Sequence, residues 1–64
     1  SPDKDSAIGY YLKAIIGARK NDLTMLTDNL KNAVAKDPSL KAKAAKDREF
    51  IKFFENASFK AVVG

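Results

Sequence analysis

The side chains that most often carry catalysis or hold metals are scarce in this chain, so its chemistry must be sought among the remaining polar residues. Histidine and cysteine are both absent from the 64 residues, which removes imidazole and thiolate as bases, nucleophiles and zinc ligands. Catalysis would then need a carboxylate pair, a lysine nucleophile or a serine activated by another base. Asp47 and Glu49 stand close in sequence, yet residues two apart on a helix diverge. Asp3, Asp5, Asp22 and Asp37 fall at or near expected helix starts, where a carboxylate accepts from free backbone N–H groups instead of reacting. Gly9, Gly17 and Gly64 are too scattered to cradle a phosphate. These residues predict no enzyme, no catalytic residue, no metal site and no cofactor.

Binding chemistry is better represented. Lys41, Lys43, Lys46 and Lys52, with Arg48 among them and Lys60 beyond, form a candidate basic patch able to follow phosphates. Ten of the twelve cationic residues are lysine, and no helix-turn-helix signature accompanies them. A small basic helical domain that binds nucleic acid is therefore the alternative reading of function. A basic face for anionic membranes is disfavoured, because the bulky residues among these lysines are needed in the core. Twelve Lys and Arg against eight Asp and Glu leave a net charge of +4, which a solvated helical surface explains. Asn56-Ala57-Ser58 fits the glycosylation acceptor pattern, but an asparagine that caps a helix is the preferred reading there.

The elements that must position these residues are helices. With 45% hydrophobic and 31% charged residues the composition is that of a folded globular chain, although at this length only about 60% of the unfolded surface can be buried. The first helix is expected at about 6–20, after a tail or cloning remnant at 1–5, with Ile8, Leu12, Ile15, Ile16 and Arg19 at helical spacing and Ala14 and Ala18 forming a narrow strip beside them. Of Tyr10 and Tyr11, one ring is expected inside and the other at the surface. Asp22 caps a second helix over 23–36, whose Leu23, Leu26, Leu30, Ala33 and Val34 share one face. Pro38 ends it, and Asp37-Pro38 opens a third helix over 38–55 carrying Leu40, Ala44, Asp47, Ile51 and Phe54 down one side. At least two of Phe50, Phe53 and Phe54 belong inside. Asn56 stops that helix or caps a short turn at 57–63. Residues 6–64 thus form a single all-α domain, an antiparallel helical hairpin plus a third helix and a short C-terminal helical turn, with Leu12, Ile16, Leu26, Leu30 and Phe50 as its expected core.

Leu30-Lys31-Asn32-Ala33-Val34-Ala35-Lys36-Asp37-Pro38 resembles the end of the second helix of a tetratricopeptide repeat, in which a small residue is followed five positions later by proline. Tyr10 falls where that repeat has a large aromatic, Ala14 where it has a small residue, and Asn21-Asp22 where its turn often reads Gly-Asp. Gly17, Lys13 and Leu26 depart from the pattern, which has an aromatic, a leucine and a small residue at those places. Ala45-Lys46-Asp47-Arg48-Glu49-Phe50 resembles the segment that follows the proline in terminal, capping units.

The resemblance spans residues 7 to 54 and implies a repeat-array terminus, whose outer helix is polar so that stacking stops. It further implies that the first helix meets the preceding repeat through Tyr10, Tyr11, Ala14 and Ala18, while the lysines of the third helix face water. The expected function is a non-enzymatic protein-protein interaction or scaffolding module, an excised piece of a larger protein. Its expected partners are another protein or neighbouring repeats of the parent chain, with self-association through the Tyr11 side when isolated. Apolar runs are too short for insertion in a membrane, which takes about 20 residues. Lack of cysteine fits a cytoplasmic and a bacterial periplasmic or cell-envelope location equally.

Overall fold

A computed structural model describes the backbone from Pro2 to Gly64 and the side chains from Asp5 onward. Four α-helices and one 3₁₀ segment follow one another: α1 (Pro2–Arg19), α2 (Leu23–Lys36), α3 (Ser39–Lys46), the 3₁₀ segment (Arg48–Phe53) and α4 (Ala57–Val63), with no strand among the described residues. The chain is all-α, and α1 and α2 pack as a hairpin.

Most boundaries have a local cause. The helical backbone begins at Pro2, earlier than the expected start near Ser6, because a proline with fixed φ and no N–H suits a first helical position. At the other end of α1 the Asn21 N–H donates to the Ala18 carbonyl (3.1 Å) and the Asp22 N–H to the Gly17 carbonyl (2.8 Å). This double closure requires a left-handed residue, and Asn21 supplies it with φ 59°. Asp22 then caps α2 by accepting from the Met25 N–H (3.1 Å). Asp37 accepts from the Ser39 N–H (3.1 Å) and hydroxyl (2.7 Å), which turns the chain into α3. Asn56 caps α4 through the N–H groups of Ser58 (2.9 Å) and Phe59 (3.2 Å).

The third helix is not continuous over 38–55. It stops at Lys46, and Asp47 is extended (φ −76°, ψ 123°). The Asp47 carboxylate accepts from the Glu49 N–H (3.0 Å) with one oxygen, capping the 3₁₀ segment, and from the Tyr11 hydroxyl (2.6 Å) with the other. The break resets the register. Ile51, expected inside, is exposed, and the three-residue repeat of the 3₁₀ turn sends Phe50 and Phe53 into the core instead.

A second correction concerns α1. Its buried face is Ala7, Tyr11, Ala14 and Ala18, whereas Ile8, Leu12 and Ile16 are 54%, 55% and 44% exposed. Leu12 and Ile16 are therefore not core, while Leu26, Leu30 and Phe50 are fully buried. The physical reason lies at Gly17, where an added Cβ would stand 2.6 Å from the Leu26 backbone nitrogen. Around Gly17 the two backbones approach so closely that only the small side chains of Ala14 and Ala18 fit beside it, which leaves the face bearing Ile8, Leu12 and Ile16 outward. Volume is restored by an aromatic chain: the rings of Tyr11 and Phe50 meet edge to face at 5.6 Å, and those of Phe50 and Phe59 at 5.6 Å.

Candidate functional site

The outward turn of α1 creates the surface feature most in need of an explanation. Four large hydrophobic residues are exposed among the described residues, and three of them, Ile8, Leu12 and Ile16, recur every fourth residue along one helix. Single exposed apolar residues are ordinary, but a continuous ridge of them is not. Beside the ridge lies a groove of about 390 Å³ between α1 and α3, lined by Ile8, Tyr11, Leu12 and Ile15 from one helix and by Leu40, Lys43 and the corner residue Asp47. Its walls are mostly aliphatic, and its polar groups gather near Tyr11.

That polar end is held together by side-chain contacts. Tyr11 is buried, its hydroxyl donates to Asp47, and the Lys43 ammonium stands 5.9 Å from the Tyr11 ring centroid. Burial, followed by the hydrogen bond to Asp47, raises the Tyr11 phenol well above its ordinary range. The same bond from Tyr11 lowers the Asp47 carboxyl, with help from the Glu49 N–H and the Lys43 charge and against a desolvation cost. Around neutral pH the pair is a phenol donating to a carboxylate. A second clamp ties α1 to the same corner: Arg19 donates to both oxygens of Glu49 (3.1 and 2.8 Å). That pair is solvent-exposed, so it contributes orientation more than stability.

The Tyr11–Asp47 bond makes stability depend on pH in a definite direction. Asp47 has a lowered folded pKa, so its contribution is present above the unfolded value of 3.8 and is lost as pH falls through the lower folded value. Tyr11 has a raised one, so its contribution is present below the unfolded value of 10.0 and disappears as pH rises beyond it. Tyr11→Phe is expected to cost about 1 to 2 kcal/mol at neutral pH and to flatten the stability profile at both extremes. Urea unfolding across the pH range checks this, and an unchanged profile in the variant would remove the clamp from the account.

The residues expected to make contacts do not share a surface. Tyr11, Ala14 and Ala18 are buried in the chain's own core, although Tyr11 also lines the groove, which corrects the expectation that this strip meets a preceding repeat. Tyr10 is half-buried, with the Lys13 ammonium 5.7 Å from its ring centroid. The exposed apolar face of α1 lies around the helix from the Tyr11 strip, at Ile8, Leu12 and Ile16. The closeness of Ala14, Gly17 and Ala18 in sequence is the signal that marks the strip as the internal seam.

The candidate basic patch is dispersed. Lys41, Lys43, Lys46 and Lys52 are all exposed. Lys43 and Lys46 diverge by only about 60° around α3, but Lys41 points about 160° away from Lys43, and Lys52 sits beyond the corner on the 3₁₀ segment. Lys43 belongs to the groove, and the other three do not line it. No helix among the described residues is long and apolar enough to cross a membrane.

A scan against protein-family models, a search of curated proteins and a search of solved structures each found no match to this chain.

Proposed function

We propose that this chain is a non-enzymatic protein-protein interaction or scaffolding module, working as the terminal unit of a tetratricopeptide-like helical array. The observation that carries the reading is the exposed ridge of Ile8, Leu12 and Ile16 on a helix whose opposite face is already fully packed. An apolar ridge left over once the core is complete is a surface for another protein element. The hairpin, the left-handed Asn21 in its turn and the short third helix after Pro38 support the end-unit form of this reading. So does α3, whose Lys41 and Lys46 are exposed away from the groove and suited to ending a stack.

The test extends the chain by one or two repeat lengths of its own upstream coding sequence. Extension is expected to raise the unfolding temperature and to shield the methyl groups of Ile8, Leu12 and Ile16 from a soluble paramagnetic probe. Unchanged stability and unchanged shielding would remove the array reading. Micromolar nucleic-acid binding near physiological salt, lost on replacing Lys41, Lys43 and Lys46 together, would put nucleic-acid binding in its place.

A further inference from the structure

We propose that the element covering the α1 ridge is an amphipathic helix with acidic margins, supplied by the unit that adjoins this one in the array. The proposal rests on the interaction-module reading above and adds the chemistry of the occupant. The shape of the surface calls for a helix. Residues four apart form one of the two natural ridges of an α-helix, and such ridges settle into the grooves of a second helix. From Ile8 to Ile16 the ridge runs about 12 Å, long enough to seat two turns of a partner. The groove beside it, between Leu12, Ile15 and Leu40, offers a slot for one large apolar side chain of that partner.

Charge then selects among amphipathic helices. The ridge continues at Lys20, four residues beyond Ile16, is flanked on one side by Lys13, and faces Lys43 across the groove on the other. None of these three lysines takes part in an ion pair among the described residues. The carboxylates nearby are committed: Glu49 is held by Arg19, and Asp47 by the Tyr11 hydroxyl and the Glu49 N–H. Among the described residues Asp5 alone stands as a carboxylate on the ridge side of α1, toward its N-terminal end. A helix carrying Asp or Glu on both sides of its apolar face satisfies the lysines, whereas one with basic margins meets like charge along its whole length. A second copy brings its own Lys13, Lys20 and Lys43 to the contact and is disfavoured for the same reason.

The experiment titrates the isotopically labelled 64-residue chain with two synthetic helical peptides about five turns long. One has leucines spaced three and four apart with glutamates on both margins. The other replaces every glutamate with lysine. The glutamate peptide is expected to shift the resonances of Ile8, Leu12, Ile16, Leu40 and Lys43, to bind at least about ten-fold more tightly than the lysine peptide at low salt, and to weaken as salt rises. Leu12→Glu should abolish binding with the fold intact, and the double variant Lys13→Glu, Lys43→Glu should reverse the preference between peptides. Equal affinity for both peptides, shifts confined to Lys41, Lys46 and Lys52, or dimerisation through the ridge without peptide would each overturn the proposal. If the extended chain shields the ridge but the glutamate peptide fails, the charge assignment is wrong and the module reading stands. Failure of both removes the reading itself.

Discussion

Phe50→Ala is expected to leave the chain largely unfolded at room temperature. Phe50 is fully buried and joins the halves of the core, meeting Tyr11 of α1 edge to face and Phe59 of α4 at 5.6 Å each. Truncating a buried phenylalanine costs about 3 to 5 kcal/mol, while a domain of this length has a total stability of about 3 to 10 kcal/mol. The loss also reaches the polar end of the groove, since Tyr11 depends on Phe50 for packing and Asp47 depends on Tyr11 for its hydrogen bond. Leu30→Ala, at an equally buried place on α2, is expected to cost about 2 to 5 kcal/mol. Urea denaturation followed by far-UV circular dichroism measures both, and a midpoint for Phe50→Ala near the parent value would contradict the aromatic core.

Gly17→Ala is expected to destabilise despite improving helix propensity. Alanine gains about 1 kcal/mol over glycine inside a helix, but here the new methyl would stand 2.6 Å from the Leu26 nitrogen and 3.0 Å from the Met25 carbonyl carbon. Both are backbone atoms in α2, so no side chain can swing aside and the hairpin itself must open. Overpacking of this sort costs about 1 to 3 kcal/mol and occasionally more, so a net loss is expected. Gly9 supplies a control of opposite sign, because nothing lies within 4 Å of a Cβ added there. Gly9→Ala should stabilise by about 0.5 to 1 kcal/mol. Paired thermal melts that move in opposite directions would fix the internal face of α1, and a stabilised Gly17→Ala would refute the close approach.

How much of this was legible in the sequence depended on how clearly each helix separated its faces. On α2 the leucines and Ala33 oppose Asp28, Lys31 and Asn32, so spacing alone identified the buried side correctly. The capping residues Asp22 and Asn56 were equally readable, because a short polar side chain at a helix start acts locally, whereas Asp37 turns the chain by binding Ser39 and α3 begins one residue later than expected, at Ser39. On α1, by contrast, apolar residues occur all round. Ile8, Leu12 and Ile16 compete with Ala7, Tyr11, Ala14 and Ala18, and choosing the larger volumes selected the wrong face. Gly17 between Ala14 and Ala18 was the available clue, for such a strip is costly to a helix unless something approaches it closely. The break at Asp47 could not be read locally, since half of what holds it is the hydroxyl of Tyr11, 36 residues away. Burial of at least two of the three phenylalanines followed from the thinness of the core, and Phe50 and Phe53 are the buried ones.

The most direct measurement of the assignment on which the proposed interface depends is the stability of the double variant Leu12→Glu, Ile16→Glu. Both side chains are about half exposed, and glutamate is a good helix former, so two charges on a free ridge should leave the urea midpoint of the isolated chain nearly unchanged, within about 0.5 kcal/mol per site. If Leu12 and Ile16 were instead core, burying two unpaired carboxylates would unfold the chain outright, and the ridge would no longer be available to any partner.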